Sequence, residues 1–186
     1  MDTAPEKLED LADKWMTQVV AMSTILNNQI HESIRLGVNL DTRNVRGLTY
    51  VIIAAFGSYV VQQKVLSEIG LDKKEEFAKL MREKYLSIQK AITDGDHDEK
   101  WLATTKNAYD GPLKKLSSTK GPVANWLKEA LALIFSGYTE LEFVKDSFFN
   151  RLKPSSKVRI STKVLDELAL SAWTSFMELE IDAESN

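Results

Sequence analysis

Asp94, Asp96 and Asp98 stand at alternate positions in the most acidic stretch of the chain, TDGDHDEK at 93–100. That is the spacing with which a calcium-binding loop opens. A hard divalent cation held this way also needs a glycine at the sixth loop position, for the sharp turn, and a bidentate glutamate at the twelfth. Glu99 and Thr105 occupy those two places. The aspartates therefore read as a turn that caps a helix starting near Asp98, where a short side-chain oxygen accepts from the first helical amides.

The chain has two histidines, His31 and His97, and no cysteine. Without cysteine there are no disulfides, thiolate metal sites or cysteine nucleophiles. Carboxylate-bridged di-iron bundles need Glu-x-x-His pairs, and neither histidine has a glutamate three residues before it. No G-x-S-x-G elbow is present for a serine nucleophile. His31 followed by His97–Asp98, with further aspartates downstream, resembles the H…HD…D ligand series of the all-helical HD phosphohydrolases. The resemblance implies metal-dependent phosphoester hydrolysis with those side chains as ligands. His97, however, falls in a polar, glycine-containing turn, and the helical spacing directs His31 roughly opposite the Leu8–Trp15–Leu26 stripe, towards solvent. The expectation is a non-enzymatic protein with no catalytic residue, no metal site and no cofactor, with an HD-like phosphohydrolase as a minor alternative.

Charge is distributed more informatively than chemistry. The net charge of −3 gives no overall attraction to nucleic acid. Residues 151–163, RLKPSSKVRISTK, nevertheless carry five basic side chains and no acidic one, whereas beyond Lys163 there are six acidic residues and no basic one. A positive loop thus leads into a negative final helix. Arg151, Lys153, Lys157, Arg159 and Lys163 are candidate binding residues, together with Phe143, which projects off the apolar stripe of its own helix. Complementary charge blocks and unconsumed aromatics, Phe143, Trp173 and Trp101, are interface material, so the leading expectation is protein–protein binding or self-association. The alternative is a nucleic-acid-binding or nucleoprotein-type helical module, in which Lys114, Lys115 and Lys120 join the basic loop on phosphates. Arg43 and Arg46 precede a helix start, where backbone amides favour anions, but no glycine-rich phosphate cradle accompanies them and they read as solvated loop arginines.

These residues must be positioned by helices. Residues 48–61, LTYVIIAAFGSYVV, are apolar nearly all round a helix, so this element must be covered on every side. Polar Gln62, Gln63, Lys64, Ser67 and Glu68 follow, leaving about fourteen apolar residues where a bilayer span needs roughly 20, which predicts a buried core helix and no membrane span. Apolar residues at steps of three and four predict further helices at 8–36, 73–92, 98–108, 122–136, 140–152 and 161–181, beside the central one at 48–69. Asp72 with Glu75, and Thr139 with Glu142, have capping-box spacing. Between 108 and 122, YDGPLKKLSSTKGP, with two Gly-Pro pairs, predicts the longest break in the chain. The 186 residues are expected to form a single all-α domain, 1–186, an irregular bundle of six or seven helices around the buried central helix, with no sheet. The acidic, amphipathic start is unlike a secretion signal and gives a cytoplasmic expectation.

Overall fold

The computed structural model describes residues 5–34, 43–136, 141–144 and 158–180. Six α-helices occur among them: α1 Pro5–Ile34, α2 Arg43–Ile69, α3 Lys74–Ile92, α4 Glu99–Ser118, α5 Val123–Ser136 and α6 Thr162–Glu178. They form the all-α bundle that the apolar periodicity predicts.

The centre of that bundle is α2, which packs against all five other helices. Its apolar circumference is the reason. From Ile53 to Gln62 every residue is buried except half-buried Tyr59. The 25-residue stretch from Val45 to Ile69 is long and apolar enough to cross a membrane, yet its most apolar 18-residue window, of mean hydropathy 1.3, is 61% buried within the protein. Around it, α1 presents Leu8, Ala12, Trp15, Met16, Val19, Leu26, Ile30 and Ile34, all buried. The inner face of α3 steps every four residues, Phe77, Met81, Tyr85 and Gln89, so Ile92 ends up 64% exposed instead of continuing the stripe. A half-buried pair, Lys84 Nζ with Asp13 Oδ2 at 2.5 Å, ties α3 to α1.

Several boundaries differ from the sequence expectations. Arg43 and Arg46 lie within α2, which begins at Arg43, and not in a loop ahead of it. Asp72 does not cap α3. Gly70, at φ 84°, ends α2 in the left-handed region and leads into a 3-10 turn, Leu71–Lys73, and no side chain caps either that turn or α3. Asp98 does cap α4, its Oδ1 accepting from the Trp101 amide at 2.7 Å.

The largest difference is α4, which runs straight through the expected break. Pro112 stands inside it and removes one ladder hydrogen bond. Packing outweighs that loss. Tyr109 and Leu116, two turns apart, are both fully buried, and the Tyr109 hydroxyl donates to Ser58 Oγ of α2 at 2.7 Å. The outer residues Asn107, Ala108 and Gly111 are exposed, where water meets a freed carbonyl.

The expected absence of a sheet is overturned at one place. Leu141–Val144 is a strand, β1, in parallel register with β2, Val158–Ser161. The helix expected at 140–152 is thus not helical over 141–144, and the rest of it lies outside the described residues. LEFV and VRIS are rich in β-branched and aromatic residues, and residues 145–157 supply the connection of about a dozen that a parallel pair requires.

Candidate functional site

The expected binding residues fall into two groups. Arg151, Lys153 and Lys157 lie outside the described residues. Arg159 and Phe143 lie on the two paired strands but not opposite each other: Arg159 is in register with Glu142, and Phe143 with Ile160. Residues 158–163 are therefore not loop. Lys163 is exposed in the first turn of α6, with its amide donating to Ser161 Oγ at 3.2 Å. Lys114 and Lys115 do not join one basic surface. Although adjacent in sequence, Lys114 lines a cavity against α3 and Lys115 a groove against α5.

The histidines are corrected too. His31 is buried, 3% exposed, with its ring edge-on to Phe135 of α5 at 5.8 Å between centroids. It is a core residue and not the solvent-facing one that its position opposite the Leu8–Trp15–Leu26 stripe suggests, because Phe135 of α5 lies against it. His97 sits in the turn before α4, its Nε2 3.0 Å from the Thr93 carbonyl and its ring edge-on to Trp101. No group of three or more metal-ligating side chains occurs among the described residues.

Two exposed apolar features stand out on the surface of the described residues. One is a groove of about 600 Å³ between the start of α2, the Gly111–Pro112 region of α4 and one face of α5. Leu133, 75% exposed, and Leu48, 49% exposed, stand at its edges, with Ile52, Trp126 and Ile134 half-buried inside. Lys115 on α4 and Glu129 on α5 give its two walls opposite charge. Pro112 helps to shape it, since a residue without an amide proton and an adjacent glycine leave that stretch of α4 low and apolar.

The other feature is the outer face of α6. Leu165, Ala169, Ala172 and Phe176 point inward and are buried. Leu170, Trp173 and Met177 are 56%, 37% and 39% exposed. Their steps of three and four put them on one stripe along the flank of the buried face. Exposed acidic residues Glu167, Glu178 and Glu180 border it. Lys64 of α2 fixes the end of this helix: its Nζ donates to the carbonyls of Met177 at 2.9 Å and Leu179 at 2.5 Å. A cation there also suits the negative end of the helix dipole.

Of these features, the sequence indicates Trp173 and the acidic character of α6. The groove escapes it, because it is made by three helices meeting and because Pro112 reads as a helix breaker. No protein-family model, curated protein or solved structure matches this chain.

Proposed function

We propose that this is a non-enzymatic helical protein that works by protein binding, and that its partner is a second copy of itself: the outer stripe of α6 of one copy seats in the α4–α5 groove of another. The observation that supports this reading is the presence of two exposed apolar surfaces of complementary shape on one chain. Leu170, Trp173 and Met177 have the i, i+3, i+7 spacing with which an amphipathic helix anchors in an apolar groove. The groove is apolar, open along α5 and large enough for such side chains. Charge supports the fit: Lys115 on the groove wall complements Glu178, one of the acidic residues beside the stripe. The contact joins two different surfaces, so it closes into a dimer only if two such contacts are related by a two-fold axis.

Mixing two deficient variants tests this. Trp173→Glu removes the stripe and keeps the groove; Leu133→Glu blocks the groove and keeps the stripe. Light scattering is expected to show an assembled native protein and monomeric single variants. The two variants mixed together are expected to form a heterodimer, since one intact groove meets one intact stripe. A native protein that stays monomeric up to high micromolar concentration, or variants that fail to complement each other, overturns the proposal.

A further inference from the structure

On the opposite side of α4 from the groove, α2, α3 and α4 enclose a second cavity, of about 390 Å³. Four cationic side chains line it, Lys74, Lys79, Arg82 and Lys114, against two carboxylates, Glu75 and Asp110. Lys79 also pairs with Glu83 at 3.8 Å, which still leaves a small local excess of positive charge in a chain whose net charge is −3. One of the carboxylates is already engaged: Arg82 Nη1 donates to Asp110 Oδ2 at 3.4 Å, with both side chains about one-third exposed. That bond orients the guanidinium and leaves most of its five N–H donors for another acceptor.

Gln62 adds a second, independent observation. It is only 9% exposed, it lines the same cavity, and its carboxamide makes no hydrogen bond among the described residues. Its polar atoms are not sealed from solvent, so the amide stands ready in the cavity for an acceptor that displaces water. Its N–H donors sit in a cavity whose other polar groups are mainly cations. An acceptor with several oxygens and more than one negative charge would satisfy the amide, the guanidinium and the rim lysines together.

We infer that this cavity binds a small organic phosphate. Phosphate presents the oxygens and the charge that an arginine fork recognises with geometric specificity. The volume lies in the range of small-molecule sites and is bounded on three sides by helices, which favours a free metabolite over a polymer. Binding here leaves the α4–α5 groove free, since Lys114 faces the cavity and Lys115 the groove.

Inorganic pyrophosphate is the probe, titrated calorimetrically at low salt into the full chain. The expected result is saturable binding at one site. Gln62→Leu and Lys114→Gln should each weaken it, the first by roughly tenfold as a lost hydrogen bond to a charged group does. Lys106→Gln, an exposed position of α4 outside the cavity, should leave it unchanged. Lys114 is exposed, so its replacement reads binding without risk to folding. Binding that does not saturate, or equal losses at Lys106 and Lys114, would show diffuse screening and overturn the inference. A phosphoserine peptide that binds more tightly than pyrophosphate would overturn the assignment to a free small molecule.

Discussion

Phe176 of the last helix lies directly on Gly57 of the central one: a methyl group built at position 57 would meet three atoms of its ring at 2.3, 2.4 and 2.8 Å. Gly57 is buried in the middle of α2, and the same ring meets Phe56 edge-on at 6.2 Å. The absence of a side chain at one residue is therefore what lets α6 approach the core.

Gly57→Ala should destabilise the protein by about 1–3 kcal/mol, the usual cost of overpacking a dense core, even though alanine is the better helix former. Urea denaturation measures it. Combined with Phe176→Leu, the loss should be less than the sum of the two single losses, because the smaller side chain vacates the space that the new methyl needs. A Gly57→Ala protein as stable as the native one would show that α6 is not held this closely.

The second prediction concerns the stacked phenols of Tyr85 and Tyr109, whose ring centroids are 4.2 Å apart. Burial pushes both hydroxyls well above the ordinary tyrosine value of 10.0; neighbouring Tyr50 and Tyr109 add to the rise at Tyr85, while the Ser58 hydrogen bond opposes it at Tyr109. The folded state thus holds these protons more tightly than the unfolded chain does. Their contribution is fully present below about pH 10 and is lost as the pH rises beyond that towards the folded values. Unfolding midpoints should be level from about pH 7 to about pH 9 and fall above about pH 10. The Tyr85 hydroxyl is buried and makes no hydrogen bond among the described residues. Tyr85→Phe should therefore be neutral or stabilising by up to about 1–3 kcal/mol, and should make the alkaline fall shallower. Tyr109→Phe gives up the bond to Ser58 and should cost about 1 kcal/mol. Equal effects from the two substitutions would contradict this account.

A third prediction follows from Pro112 within α4. Pro112→Ala restores an amide proton to the helix interior and should raise stability by about 1–2 kcal/mol, after allowance for the freer unfolded chain. Hydrogen exchange should slow over the turn around Gly111. The same change strips apolar ring carbons from the lining of the α4–α5 groove, so self-association should weaken while stability rises. A destabilised variant would mean that the proline ring's packing outweighs the missing bond.

Sequence periodicity reads most of this architecture because the helices bury ordinary apolar faces: α2 is legible from its unbroken apolar circumference, and α5 and α6 from steps of three and four. It fails where tertiary contacts decide. Gly111–Pro112 reads as a break, yet the buried Tyr109 and Leu116 carry the helix across it. Leu141–Val144 has both helical spacing and β-branched composition, and its pairing with Val158–Ser161 depends on a partner too far along the chain for any local pattern to show. His31 looks outward on its own helix, and only the arrival of Phe135 from α5 makes it a core residue. The groove fails to show for the same reason, since Leu48, Pro112 and Leu133 belong to three separate elements. Trp173 and the acidic end of α6 are visible because both are local properties of one helix.

The pairing of Lys115 with Glu178 proposed for the assembled contact rests on charge and can be inverted. Lys115→Glu should weaken self-association, because the groove wall then repels the acidic end of a docked α6, and Glu178→Lys should weaken it by placing two cations together. Neither substitution touches the core, since both side chains are exposed. The double reversal restores an opposite pair and should recover assembly, with a coupling of about 1 kcal/mol, as expected for an exposed pair. Raising the salt should reduce that coupling and leave the apolar contribution of Trp173 in place, because charges at the surface are screened beyond about 8 Å at physiological ionic strength. Assembly that ignores all three variants would place the contact elsewhere on the molecule. If, instead, the native protein retains nucleic acid and loses it when Arg151, Lys153, Lys157, Arg159 and Lys163 are made neutral, the basic segment and not the groove is the working surface. The salt slope of that binding should then flatten, since fewer counterions are released when fewer phosphates are neutralised.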